Sequence, residues 1–236
     1  MKKLVIFDLD GTLLDTIADL AASANHALKQ LGYPTHPVDV IRTFVGNGIM
    51  RLVERALPAE LRTPEYVAAA RRDFVAYYID HIDLYTQPYE GIVELVNLLA
   101  KEGVKLAIAS NKFQAGTDKL IKKFFPEIEF VMICGNREGV PLKPDTALVD
   151  MILEEGKVEK SRCVMVGDSA VDIETAKRAG IISVGVSWGF RSRQELEKAG
   201  ADQQCNGYRK NEQEHCTVLK GDAPEPGKLQ NDQGIG

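Results

Sequence analysis

The sequence is poor in the features that mark a membrane span, a disulfide scaffold or a nucleic-acid surface. Aromatic residues make up only 7% of the 236 residues, and the apolar runs are short. A spanning helix needs ~20 consecutive apolar residues. Lys2 and Lys3 imitate the start of a signal peptide, but the apolar stretch Leu4–Phe7 stops at Asp8, too early for a leader's hydrophobic segment. Basic excess is missing as well: 29 Lys and Arg stand against 34 Asp and Glu, a formal charge of −5. That balance argues against a phosphate-backbone partner. The four cysteines, Cys134, Cys163, Cys205 and Cys216, form no C-x-x-C pair and no zinc spacing. These absences lead us to expect a cytoplasmic protein with no membrane or nucleic-acid partner and no disulfides. What remains is an ordinary globular composition, 44% hydrophobic and 27% charged, in a chain long enough to bury a core without staples.

The order of apolar patterns predicts a fold class. Residues 4–8 (LVIFD) form a short continuous apolar run, as expected for a strand buried on both faces. Similar runs recur at 104–110, 128–134, 162–168 and 181–188, with helical patterns at 90–101, 115–125, 146–155 and 170–179 between them. Gly103 and Gly180 stand just past two of these helices, where a left-handed residue ends a helix. This alternation predicts an α/β core, a doubly wound parallel sheet of Rossmann-like type with right-handed crossovers. The stretch 16–88 breaks the alternation and reads as helices only: 17–31, 38–44, 49–57 and 64–81, the last opened by Thr63 and Pro64. We read it as an inserted all-helical domain. The core then comprises 1–15 and 89–202, and 203–236, sparse in apolar residues, is expected to be a disordered or atypical tail.

Chemistry-bearing residues gather at the predicted strand ends. Asp8 and Asp10, two apart, can point to one side and are followed by Gly11 and Thr12. Ser110 and Asn111 end a second strand; Gly167, Asp168 and Ser169 end another, with Asp172 four residues beyond Asp168; Lys143 precedes Pro144 in a loop. In open α/β sheets ligands bind beyond the carboxyl ends of the strands. Converging carboxylates repel unless a hard divalent cation lies between them, and Mg2+ takes such oxygen ligands together with a substrate phosphate. One carboxylate can then serve as nucleophile and a second as general acid and base.

The run Asp8-Leu9-Asp10-Gly11-Thr12, then Ser110-Asn111, Lys143-Pro144, and Gly167-Asp168-Ser169 with Asp172, resembles the four motifs of the haloacid dehalogenase-like superfamily in order and spacing. Residues 171–180 and 187–190, with the helical insert after the first motif, resemble its phosphoglycolate phosphatase branch, whose insert is a cap domain. The resemblance implies a magnesium-dependent phosphatase acting on a small phosphorylated metabolite, best guess 2-phosphoglycolate, through an aspartyl-phosphate. It assigns Asp8 as nucleophile and Mg2+ ligand, Asp10 as acid/base with its main-chain carbonyl on the metal, and Lys143 as the neutralising cation. Gly11, Thr12, Ser110 and Asn111 would bind phosphate, Asp168 the metal, and Asp172 would support it. Dehalogenases of this superfamily lack the second acid, so Asp10 points to a phosphate ester. Substrate choice is expected in the cap, at Gly46-Asn47-Gly48, with Arg42, Arg51, Arg55 and Lys112 as partners for a substrate carboxylate. A phosphomutase of the beta-phosphoglucomutase type, a pyrophosphatase and a non-catalytic phosphoester-binding protein are the alternatives; monomer and homodimer stay equally open. Family members continue after Asp202 with a short strand and a closing helix, which 203–206 is not expected to supply.

Overall fold

The computed structural model describes residues 4–206. In chain order it contains β1 (Leu4–Phe7), β2 (Leu14–Asp15), α1 (Ile17–Gln30), α2 (Val38–Phe44), α3 (Gly48–Ala56), α4 (Pro64–His81), β3 (Gln87–Pro88), α5 (Ile92–Lys101), β4 (Lys105–Phe113) and α6 (Gln114–Phe124). There follow β5 (Phe130–Asn136), α7 (Ala147–Gly156), β6 (Cys163–Gly167), α8 (Ala170–Ala179), β7 (Ile182–Val186), α9 (Arg193–Ala199) and β8 (Gln203–Cys205). The main sheet has six strands in the order β5-β4-β1-β6-β7-β8, and its pairings are parallel.

The apolar runs explain the central strands. Val5 and Phe7 face one hydrophobic cluster with Leu106, Ile108, Val164 and Val166, while Leu4 and Ile6 face the other with Ala107, Ala109, Cys163 and Met165. Helices cover both faces, so every position of β1 is buried and alternation disappears. β1 lies between β4 and β6. The chain runs outward from β1 through β4 and β5, then crosses back to β6. The strand order therefore reverses beside β1, where open sheets of this class form their crevice.

Helices α1 to α4 lie between β2 and β3, which pair antiparallel with Leu14 opposite Pro88 and Asp15 opposite Gln87. This ribbon ties together the two crossings between the sheet and the helical insert. Asp19 of α1 reinforces it: its buried carboxylate accepts from Tyr85 N at 3.1 Å, Thr86 N at 2.8 Å and Thr86 Oγ1 at 2.7 Å. The larger hydrophobic cluster runs from the sheet into the insert through Leu9, Leu13 and Leu14 to Leu20, Phe74 and Tyr78.

Two expectations are corrected. Gln203–Cys205 is a strand, paired with β7 from Val184–Gln203 to Val186–Cys205. An edge strand needs main-chain pairing on one side only, so hydropathy is a weak guide to it. Here Asp202 fixes the register, accepting from Ser183 N at 2.8 Å and Ser183 Oγ at 2.6 Å. The rest of the anticipated tail, 207–236, lies outside the described residues. Cys205 is disulfide-bonded, which corrects the expectation of reduced thiols at this position; Cys134 and Cys163 are buried and carry no disulfide. Among the described residues no helix is long and apolar enough to cross a membrane.

Candidate active site

The carboxyl ends of β4, β1 and β6 are neighbours, and each delivers polar groups to one crevice beneath the helical insert. Asp8 directly follows β1; its N–H donates to Val166 O at 2.9 Å, which carries the β1–β6 ladder one residue beyond the strand. Asp168 directly follows β6, and Ser110 and Asn111 lie near the end of β4. Lys143 arrives from the loop between β5 and α7. Asp8, Ser110, Asn111, Lys143, Asp168 and Asp172 are all buried.

Lys143 is the hub. Its Nζ donates to Asp8 Oδ1 at 2.8 Å and to Asp172 Oδ1 at 2.6 Å. Its main chain is gripped by Asn111, whose Oδ1 accepts from Lys143 N at 2.8 Å and whose Nδ2 donates to Lys143 O at 3.0 Å. Asn111, expected to bind phosphate, is therefore engaged in orienting Lys143. Asp172 occupies the third helical position of α8, behind Ser169; its Oδ2 accepts from Ser169 N at 3.1 Å and Ser169 Oγ at 2.7 Å. Gly167 permits this approach, because a Cβ there would stand 2.2 Å from the Asp172 Cβ.

Carboxylate oxygens of Asp8, Asp168 and Asp172 lie within 4.8 Å of one another. One lysine bridges two of these three buried acids, and the electrostatics show the deficit. Burial, more than Lys143 can offset, raises Asp8 from its ordinary 3.8 to about 6, and the charge of Asp172 adds to the rise. Burial, then the charges of Asp172 and Asp8, raise Asp168 as well. Burial alone would lower Lys143, but Asp172 and Asp8 together push it up, so it stays charged. A buried oxygen cluster with surplus negative charge fits a hard divalent cation.

The second acid has a different partner. Asp10 Oδ1 and Oδ2 accept from Lys112 Nζ at 2.9 and 3.2 Å. Lys112 Nζ also donates to the hydroxyl of Tyr78 in α4, above whose ring it sits at 4.6 Å from the centroid. Burial, with Asp10 and Asp19 nearby, raises the Tyr78 phenol. The sequence reading offers Lys112 to a substrate carboxylate; the structure instead joins Lys112 to Asp10 and Tyr78 to Lys112. Strand spacing hints at Lys112, two residues from Ser110 on β4; no sequence signal marks Tyr78.

Gly11 and Thr12 sit beside the crevice. Gly11 has φ +86, and a Cβ on it would come 2.3 Å from Asp168 Oδ2, so only glycine fits. The buried Thr12 Oγ1 has no hydrogen-bond partner among the described residues. Ser110 Oγ accepts only a long 3.3 Å bond from Lys112 N, among the described residues. Gly46 and Gly48 line the crevice from the insert side, while the Asn47 side chain turns to Arg55 Nη2 at 2.9 Å. Arg55 also donates to Phe44 O, Arg51 pairs with Glu54 and Arg42 with Asp39. None of these arginines lines the crevice; Arg191 does, and the sequence reading missed it.

A family model described as "Haloacid dehalogenase-like hydrolase" matches residues 5–186. A phosphoglycolate phosphatase of Neisseria meningitidis is 36% identical over 189 residues, 79% of this chain and 80% of the relative. One from Mesorhizobium japonicum is 35% identical over 194 residues, 81% of this chain and 86% of the relative. A crystal structure from Lactobacillus delbrueckii subsp. bulgaricus superposes with a TM-score of 0.82 at 33% identity, covering 88% of this chain and 95% of that one.

Proposed function

Because the chain belongs to the haloacid dehalogenase-like hydrolase family, we propose that it hydrolyses 2-phosphoglycolate with Mg2+, through an aspartyl-phosphate formed on Asp8. The observation that carries this reading is two acids two residues apart, each on its own buried lysine: Asp8 on Lys143 and Asp10 on Lys112. A nucleophile alone suffices to displace halide. An ester also needs a proton donor for its leaving oxygen, and Asp10 is that donor.

In the first step an Asp8 oxygen attacks phosphorus in line while the ester P–O bond breaks, and the Asp10 proton goes to the departing oxygen. In the second, Asp10 takes a proton from water, whose oxygen attacks the phosphorus of the acyl phosphate. The bond to Asp8 breaks, inorganic phosphate leaves, and Asp8 is a carboxylate again. Lys143 stays charged throughout, balancing Asp8 and the equatorial oxygens, which the Ser110 hydroxyl meets from the β4 side. Asp8, Asp168 and the main-chain carbonyl of Asp10 would hold Mg2+, with Asp172 behind them. When bound, the cation neutralises these carboxylates and polarises the phosphoryl group.

Phosphoglycolate as substrate is supported by the names of the two relatives above and by the insert side of the crevice. There Gly46 and Gly48 bring main chain and the start of α3 within reach of a second anionic group. A cytoplasmic setting belongs to the same proposal, as the place where small phosphate esters are made. The test is free-phosphate release from a panel of phosphorylated metabolites, with Mg2+ and with a chelator. Mg2+-dependent release fastest on phosphoglycolate is the expected result. Faster release from sugar phosphates replaces the substrate, and sugar-phosphate isomerisation without release makes the protein a mutase.

A further inference from the structure

The loop after β7 touches three parts of the molecule at once. Trp188 Nε1 donates to Thr12 O at 3.0 Å, which fastens the loop to the turn carrying Asp8 and Asp10. Phe190 N donates to Asp168 Oδ2 at 2.6 Å, and this contact opposes the upward push of burial on that acid. Arg191 reaches the opposite way, into the helical insert. Its Nη1 donates to Arg42 O at 2.9 Å, and its Nη2 to Val45 O at 2.7 Å and Thr43 O at 3.4 Å.

Those carbonyls close α2, whose last carbonyls have no partner inside the helix and mark the negative end of its dipole. The planar guanidinium, with donors on two nitrogens, meets several at once; a lysine ammonium offers a single point. Val45 leads directly into Gly46, which lines the crevice and accepts from Asn111 Nδ2 at 3.1 Å. The loop has little slack on its sheet side. A Cβ on Gly189 would stand 2.2 Å from Gly11 O and 2.4 Å from the Asp168 Cβ, so the peptides around it lie flat against the site.

We propose that Arg191 is a positioning residue that joins closure of the helical insert to the orientation of Asp168. When α2 docks on the guanidinium, the Phe190 N–H one residue earlier is held against Asp168 Oδ2, and the acid presents its other oxygen to the cation. When the insert swings away, the loop loses its outer anchor and Asp168 its fixed hydrogen bond. The inference rests on the reading of Asp168 as a Mg2+ ligand.

The test uses the full-length, metal-free protein without substrate, titrated with Mg2+ in a calorimeter, with amide hydrogen exchange followed at 42–49. Arg191→Ala is expected to accelerate exchange there and to weaken Mg2+ binding about 10-fold, the scale seen when a hydrogen-bond partner of a metal ligand is removed. Arg191→Lys, which keeps one contact, is expected to fall between wild type and Arg191→Ala on both readouts, and carries the comparison if the alanine variant does not fold. Gly189→Ala, which lifts the loop from the sheet side, is expected to weaken Mg2+ binding as well. Faster exchange with unchanged Mg2+ affinity overturns the proposal, since Arg191 would then only hold the insert in place. Unchanged exchange overturns it too. A wild type that binds no Mg2+ overturns the metal reading of Asp168, and this coupling with it; normal wild-type binding alongside an unaffected Arg191→Ala overturns the coupling alone.

Discussion

The proposed mechanism needs Asp8 as a charged nucleophile, where burial raises it to about 6. The sign of the consequence follows from proton counting. Between its ordinary 3.8 and about 6 the folded state binds the proton more tightly than the unfolded chain, so metal-free stability falls as pH rises through that window. Asp8→Asn removes the penalty. The variant is expected to lose phosphatase activity by at least ~1,000-fold and yet to be more stable than wild type without metal. Its advantage should grow from pH 4 to 6 and level off above, reaching at most about 3 kcal/mol. Paired denaturant titrations across that range, with and without Mg2+, measure it; Mg2+ should erase the difference. Lys143→Ala has the opposite effect, because it strips Asp8 and Asp172 of their shared cation. We expect a loss of about 3–5 kcal/mol at neutral pH and a smaller loss once Mg2+ is bound. At this scale the sequence exposed the residues at strand ends and hid those whose role depends on distant partners. Asp8, Lys143 and Asp168 announce themselves by local pattern. Tyr78 and Lys112 are 34 residues apart in sequence and meet only through tertiary packing.

Among the elements, strongly periodic helices were legible to within two residues at either end: the expected 64–81 and 170–179 are α4 and α8. α9 went unread although its signal was printed in the sequence. Ser192 and Glu195 form a capping box, with Ser192 N donating to Glu195 Oε2 at 2.9 Å and Glu195 N to Ser192 Oγ at 3.3 Å. β8 carries no such signal, because what makes it a strand is a neighbour's edge. Asp19 belongs to the same class of hidden determinant: it sits in the first turn of α1, where an acid usually answers only the helix dipole. Here it collects three donors from 85–86. Asp19→Ala leaves the two buried amides and the hydroxyl without that acceptor and is expected to destabilise by about 2–4 kcal/mol. Thr86→Val removes one donor and should cost about 1 kcal/mol. Equilibrium unfolding of both variants checks the ratio.

On the scale of the whole molecule, sheet and insert share one apolar cluster yet are linked covalently only through the strands of the β2–β3 ribbon. The proposed opening and closing of the insert would therefore pivot about 14–16 and 85–88. Exchange of amides in those segments is expected to slow when Mg2+ and a phosphate analogue such as vanadate occupy the crevice. Equal protection with and without the analogue would sink the hinge. The helices α1 to α4 were legible because the stretch after Asp15 lacked any strand pattern; the ribbon was not, since two-residue strands carry no periodicity.

That ribbon has a further consequence for descent. Leu14 and Pro88 face each other across an antiparallel pair, so the insert leaves and re-enters the sheet domain at adjoining points. From the sheet's side, the helices between them are equivalent to a single hairpin loop. Recombination at these two codon neighbourhoods exchanges one insert for another without shifting a sheet register, so long as the newcomer meets Arg191 as α2 does and Lys112 as Tyr78 does. A lineage built this way can change its diet while its chemistry is inherited intact.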